Sequence, residues 1–201
     1  MIRKIVSEIL PYLEALNFSE TVAGCVTTLS VNRPTKDNKV IVKKYPVYIN
    51  ENKDVCDNSD YIALVPNSDK KSIIYFEENG IRAETINNNM IEVTASVKLI
   101  FWCNLPRINS TLKFAELLKL NIIKVIPDSI PNLFPYSFIR IAYTGEDVKS
   151  VSVFSKYTYN EEEKQYLIYP FDYFALNYDI KFYMGKNCVE DIVINPGTCL
   201  T

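Results

Sequence analysis

Two long runs of alternating apolar and polar residues constrain this chain more than any other feature of its sequence. They cover residues 90–103 and 174–184. Alternation with period two is typical of a β-strand with one buried face. The first run spans roughly 46 Å at about 3.3 Å per residue, whereas most strands have about five or six residues. The chain is therefore expected to be built around unusually long strands, which often extend beyond their own domain.

Helical periodicity accompanies these strands. Residues 2–17 place their apolar side chains on one face, and Pro11 is expected to bend or restart that helix. A second helix is predicted to begin with Ser110 as its N-cap and to stop at Pro127, and Asn160 is predicted to cap a short third helix. These elements indicate an α+β fold: an antiparallel-rich sheet with long β-hairpins and two to four helices packed on one face.

A projecting hairpin is predicted near the amino terminus. Residues 21–31 and 40–49 are rich in Val, Ile, Thr and Tyr, and the segment between them has the composition of an exposed turn. No linker divides the chain. We therefore expect a single domain of residues 1–201 with a projecting hairpin around residues 21–50.

A second, tighter hairpin is predicted at Asn79-Gly80. This dipeptide lies between two β-rich runs, where it favours a two-residue type I′ turn. Such a turn would place Glu77 opposite Arg82, a favourable cross-strand pair of opposite charges.

Composition excludes most enzyme classes. The chain has no histidine, which removes His-based acid–base catalysis, Ser-His and Cys-His nucleophile pairs and nearly all catalytic zinc sites. Its glycines lie apart, so neither a dinucleotide-binding nor a P-loop motif is present. Its 5 cysteines contain no C-x-x-C pair, and an odd count fits a reducing cytoplasm. We expect no enzymatic activity, no cofactor and no metal; an enzyme using carboxylates such as Glu92 or Asp179 ranks last.

Charge is nearly balanced along the chain. Its 22 Lys+Arg and 24 Asp+Glu give a formal net charge of -2 at pH 7, so neither half is a nucleic-acid-binding arm. No apolar run approaches the roughly 20 residues that span a bilayer, and we expect no membrane association. The predicted projecting hairpin is locally basic, through Arg33, Lys36, Lys39, Lys43 and Lys44. A basic tip of this kind either faces DNA phosphates or is a solvated loop.

The last predicted strand carries a family resemblance. Residues 169–174, Tyr-Pro-Phe-Asp-Tyr-Phe, run into Leu176, Tyr178, Ile180 and Phe182, with Cys188 just past the strand. This stretch resembles the closing segment of small virion proteins from tailed phages of Bacteroidetes, including crAss-like phages. The order of elements is also similar to that of tail terminator and head–tail joining proteins: an N-terminal helix, long hairpins, a central helix, a short helix and a last long strand.

The resemblance implies a non-enzymatic structural virion protein of the head–tail junction or tail, made in the host cytoplasm. Such a protein would form a homo-oligomeric ring, six- or twelve-fold, around the DNA channel and dock portal, ring or tail proteins. The five basic hairpin residues would then contact DNA non-specifically in the lumen, and Phe171 and Tyr173 would contact a partner. The alternative is a monomeric binding module that presents exposed aromatics to a peptide, a glycan or a host protein. That alternative predicts a concave aromatic pocket.

Overall fold

The chain folds around one curled sheet. The computed structural model describes residues 1–34, 40–49, 61–86, 89–131, 133–147, 153–159 and 161–188 of the 201 residues. The strands are β1 (Thr21–Cys25), β2 (Thr27–Pro34), β3 (Val40–Ile49), β4 (Tyr61–Ala63), β5 (Ser72–Thr85), β6 (Met90–Asn104), β7 (Ser129–Ile130), β8 (Tyr136–Glu146) and β9 (Phe171–Gly185). The helices are α1 (Ile2–Ser7), α2 (Leu10–Glu14), α3 (Leu105–Ile108), α4 (Glu116–Val125) and α5 (Glu161–Lys164), with short 3-10 helices at Gln165–Leu167 and Lys186–Cys188.

The strands form two sheets. The main sheet has six strands in the order β1-β5-β6-β9-β8-β7, and the smaller sheet has three in the order β2-β3-β4. Neighbours in the main sheet are antiparallel, except that β1 and β5 are parallel. The predicted α+β class with an antiparallel-rich sheet and long hairpins is confirmed. The smaller sheet contains the hairpin of β2 and β3, while β1 belongs to the main sheet, so this hairpin begins later than predicted.

Each face of the main sheet has its own apolar cluster. On the first, called the helix face, buried side chains of α1, α2 and α4 pack on alternate residues of β6 and β9. There Phe101 stacks on Phe174 with ring centroids 4.9 Å apart. On the second, called the loop face, residues 153–159 and the 3-10 helix Gln165–Leu167 pack on one end of the sheet around Trp102.

The two predicted long strands are confirmed. β6 and β9 have 15 residues each, and they pair along their whole length, from Met90 opposite Gly185 to Asn104 opposite Phe171. The predicted interruption of the N-terminal helix is also confirmed, because α1 ends at Ser7 and α2 carries Pro11 in its first turn. A proline is tolerated there, since the first N–H groups of a helix have no intrahelical partner.

The predicted turn at Asn79-Gly80 is wrong. β5 continues through this dipeptide, and a bulge just before Gly80 shifts its register against β6. Gly80 has a φ of +149°, which a residue without a side chain adopts at little cost. The reason is tertiary: β6 offers β5 a partner along its full length, and this pairing outweighs the local turn preference. Glu77 consequently lies opposite Lys98.

The predicted start of the central helix is also wrong. α4 begins at Glu116, and its N-cap is Ala115 instead of Ser110. The N–H of Ala115 donates a hydrogen bond to Oδ2 of Asp172 in β9 at 2.9 Å. A distant carboxylate therefore accepts the N–H of the N-cap residue and places its negative charge at the positive end of the helix. The third helix is present as α5; its predicted cap, Asn160, lies outside the described residues.

Candidate functional site

The far end of the loop face carries an open cleft. It has a volume of about 460 Å³ and lies where β6, β9 and β8 run side by side. Its lining consists of Ile86, Met90, Phe138, Arg140, Lys181 and Tyr183. We call it the aromatic–basic cleft, because it combines two aromatic rings with two cationic side chains.

Phe138 is held in an unusual backbone conformation at this cleft. Its φ is +51°, in the left-handed region that side chains other than Gly, Asn and Asp rarely adopt. It lies in a bulge where the β8 register against β9 skips from Ser137 to Arg140. The side chain is 75% exposed, and its ring meets Tyr183 edge-on with centroids 6.1 Å apart. Such a conformation costs about 1–3 kcal/mol, and residues held in this way cluster at functional sites.

The two cations of the cleft lie directly opposite each other. Arg140 in β8 pairs in register with Lys181 in β9, and like charges at such positions repel. Glu92 reduces this repulsion, because its carboxylate binds the Lys181 ammonium at 2.7 Å. This hydrogen bond lowers the pKa of Glu92 and raises that of Lys181. Arg140 makes no ion pair within the described part of the chain.

A second cleft adjoins the first at Phe138. It has a volume of about 530 Å³ and runs between β7 and β8, with Ile130, Pro131 and Tyr136 in its wall. Phe138 and Arg140 line both clefts. The exposed phenyl ring therefore lies between two adjoining concave surfaces.

The main sheet also has two stretches without an outer neighbour among the described residues. β1 covers only the first half of β5, ending with Cys25 opposite Phe76. The remaining residues 78–85 are all exposed and are called the β5 margin. On the other side of the sheet, β7 pairs only with Ile139 and Arg140, and residues 142–146 are called the β8 margin.

The basic residues predicted to face DNA are only partly described. Lys36 and Lys39 lie outside the described residues, and the Arg33 backbone pairs with β3. Lys43 is half-buried and Lys44 is exposed; as neighbours in β3, they point to opposite faces of the hairpin. Their contact with DNA stays a prediction.

The two residues predicted to contact a partner lie in the loop-face cluster. Phe171 stacks on Trp102 with ring centroids 5.4 Å apart, and Tyr173 packs on Phe154 at 5.0 Å. Both are half-buried, so each keeps an accessible part. Contact with a partner stays a prediction for both.

The carboxylates considered for an enzyme do not form a pair. Glu92 is opposite Tyr183 and Asp179 is opposite Ser96. The two carboxylates are therefore four residues apart along the strands, roughly 14 Å at about 3.4 Å per residue. Paired carboxylates of glycosidases are separated by about 5–9.5 Å. Each also has another partner, because the Ser96 hydroxyl donates to Asp179 at 2.7 Å and Glu92 binds Lys181.

Sequence analysis singled out neither Phe138 nor Arg140. The signal that could have found them is weak: two aromatics, Phe134 and Phe138, follow a proline-rich stretch, and both turn out to be more than 70% exposed. The positive φ of Phe138 has no sequence signature, because it arises from the register of β8 against β9.

No family model, curated protein or solved structure matches this chain. Within the described residues, no helix is long and apolar enough to cross a membrane. The same residues contain no group of three or more His, Cys, Asp or Glu placed to hold a metal ion.

Proposed function

We propose that this chain is a non-enzymatic structural protein of a tailed-phage particle, at the head–tail junction or in the tail, and that it assembles into a homo-oligomeric ring. The observation that carries the proposal is the pair of unlike strand margins on one sheet. A ring needs a heterologous interface, in which one surface of each copy meets a different surface of the next. The β5 and β8 margins are two such surfaces, at opposite sides of the sheet.

The β5 margin suits strand pairing between copies. Its eight residues span roughly 27 Å at about 3.4 Å per residue, and unpaired strand edges of this length readily accept another strand. Pairing β5 of one copy with β8 of the next would join the main sheets around the ring. The basic hairpin of β2 and β3 would then supply the DNA-facing surface.

An exposed apolar strip on α4 supports docking to neighbouring proteins. Phe114, just before the helix, is 67% exposed, and Leu117 and Leu120 are 63% and 60% exposed. Large apolar side chains clustered on a surface often mark protein interfaces. This strip lies on the helix face, away from the aromatic–basic cleft on the loop face.

Two features of the β5 margin favour the alternative of a monomeric binding module. The margin contains the bulge at Gly80 and an exposed ion pair between Arg82 and Glu84. Monomeric proteins use bulges and charges to prevent edge pairing. The aromatic–basic cleft is the concave aromatic pocket that a binding module would need. The oligomeric state therefore separates the two functions.

Light scattering across a concentration series tests the proposal. We expect a mass of six or twelve times 23.1 kDa and annular particles by negative-stain imaging. Ile81→Lys, which adds a charge to the β5 margin, is expected to return the mass to that of a monomer. Ile168→Lys is the matched control, because Ile168 is also exposed but lies outside both margins. A monomer at every concentration would overturn the ring and favour the binding module.

A further inference from the structure

We infer that the aromatic–basic cleft binds an extended peptide segment of a partner protein, one that carries a single carboxylate beside apolar side chains. The inference goes beyond ring formation, since it concerns a surface on the loop face that neither strand margin contains. It applies to a single copy of the chain as well as to a ring.

The charges around the cleft call for one carboxylate. The uncovered end of the loop face carries three cations and three carboxylates: Arg82, Arg140, Lys181, Glu84, Glu92 and Asp179. Arg82 pairs with Glu84 and Lys181 with Glu92. Arg140 remains as the cation without a carboxylate among the described residues, and it faces Lys181 across the strands. A carboxylate placed on Arg140 would relieve that repulsion and form a charge-assisted, bidentate hydrogen bond.

The equal number of cations and carboxylates around the cleft disfavours a nucleic acid as its ligand. A nucleic-acid strand presents several phosphates in succession, and proteins hold it with grooves of excess positive charge. Here Glu84, Glu92 and Asp179 lie on the same face as the cations and would repel all phosphates except the one on Arg140. A peptide with one acidic side chain brings a single negative charge to this face, and Arg140 can pair with it.

The rest of the lining calls for apolar side chains next to that carboxylate. Ile86 is 52% exposed and Phe138 is 75% exposed, and Met90 completes the apolar wall. Covering these groups removes apolar surface from water, which supplies affinity without further charge. Phe138 carries its ring into the cleft only because the β8 bulge holds its backbone in the left-handed region.

The shape favours a peptide over a small molecule. Small-molecule sites usually enclose most of the ligand surface, whereas Phe138 and Ile86 are mainly open to solvent. The clefts of about 460 and 530 Å³ meet at Phe138, so an extended segment can place successive side chains on either side of the ring. Peptides recognised in this way use side-chain pockets for specificity.

Fluorescence anisotropy with three labelled peptides tests the inference. The probes are GSIEVISG and the same peptide with Gln or Lys in place of Glu. We expect the Glu peptide to bind about tenfold more tightly than the Gln peptide, the effect of one charge-assisted hydrogen bond, and the Lys peptide to bind more weakly still. Equal binding of the Glu and Gln peptides would overturn the inference.

Variants of the protein locate the binding. Arg140→Gln is expected to abolish the preference for Glu over Gln, while Arg82→Gln, a matched change on the same face, leaves it intact. Phe138→Gly suits the left-handed backbone and removes the ring, so we expect it to fold and to weaken all three peptides. Phe138→Asn, which also tolerates this conformation, replaces it if the glycine variant does not fold.

Two further results would overturn the peptide partner. One is tighter, Arg140-dependent binding of a labelled oligothymidine than of the Glu peptide, which would assign the cleft to nucleic acid. The other is loss of an oligomeric mass in Arg140→Gln, measured by light scattering, which would place a second copy of the chain in the cleft. Peptide binding by a monomeric sample would leave this inference standing while removing the ring.

Discussion

Trp102→Ala is expected to lower the free energy of unfolding by about 4 kcal/mol, the usual range for truncating a buried aromatic being about 3–5 kcal/mol. Trp102 is fully buried at 0% exposure, near the C-terminal end of β6. Its ring stacks on Phe171 at 5.4 Å, and its indole N–H donates a hydrogen bond to the Tyr166 carbonyl at 2.6 Å. The variant therefore loses the contacts that hold the 3-10 helix Gln165–Leu167 and the start of β9 on the loop face.

Trp102→Phe separates the ring from its hydrogen bond. It keeps an aromatic ring against Phe171 and leaves the Tyr166 carbonyl without its donor, which costs about 1–3 kcal/mol. Tyr12→Ala, at a residue that is 48% exposed, is the matched control and is expected to change stability by less than about 0.5 kcal/mol. The chain has 1 Trp, so urea unfolding is followed by circular dichroism. A loss below about 1 kcal/mol for Trp102→Ala would contradict the position of Trp102 in the core.

The second large effect is expected at alkaline pH, where stability should fall steeply. Burial raises the pKa of four tyrosines above the ordinary value of 10.0: Tyr75, Tyr157, Tyr159 and Tyr178. Nearby negative charge adds to the effect for Tyr157, whose hydroxyl donates to the buried Glu77 carboxylate at 2.5 Å. These hydroxyls can lose their protons only when the surrounding structure opens.

The direction of the change in stability follows from the number of protons that the folded and unfolded states bind. Because the pKa values are higher in the folded than in the unfolded chain, the stabilisation is complete below about pH 10 and is lost as the pH rises above it. Each tyrosine lowers the free energy of unfolding by roughly 1.4 kcal/mol for every pH unit above about pH 10. The four together therefore lower it by about 5–6 kcal/mol per pH unit. A domain typically has about 5–15 kcal/mol of stability, and we expect unfolding within roughly one to three pH units above pH 10.

Tyrosinate absorbance and circular dichroism, recorded together against pH, measure this effect. The four buried tyrosines are expected to ionise only as β-structure is lost. Tyr178→Phe is the informative variant, because the Tyr178 hydroxyl has no hydrogen-bond partner among the described residues. This variant should reduce the slope of the free energy of unfolding against pH by about one quarter, without lowering stability at neutral pH. Full ionisation of the chain's 14 tyrosines with intact circular dichroism would contradict the burial of these four side chains.

Features that depend on neighbouring residues could be predicted from the sequence. The alternation in β6 and β9 and the break before Pro11 are local signals, since each repeats within a few residues or depends on one proline. The α+β class follows from them. The predicted turn at Asn79-Gly80 and the predicted N-cap at Ser110 are both wrong, because contacts made outside the local sequence decide them. Pairing with β6 keeps β5 continuous through Asn79-Gly80, and Asp172 in β9 binds the N-terminus of α4.

The candidate site was much harder to predict than the fold. Arg140 and Lys181 come together only through the pairing of β8 with β9, and Glu92 reaches Lys181 across β6 and β9. The exposed ring of Phe138 depends on a bulge, which is a property of two strands. Residue types alone indicated exposed aromatics in general, as the binding-module alternative expected, without indicating which ones.

Cross-linking between the two margins tests the central claim most directly. Cys56, Cys188 and Cys199 are first replaced by Ser, while Cys25 and Cys103 remain because they are buried. Ala83→Cys in the β5 margin and Thr144→Cys in the β8 margin are made in separate proteins and treated with a short bis-maleimide, alone and mixed. A head-to-tail ring predicts a product of twice 23.1 kDa in the mixture and none in either protein alone. Cross-linking of either variant with itself, or no product in the mixture, would contradict assembly through these margins.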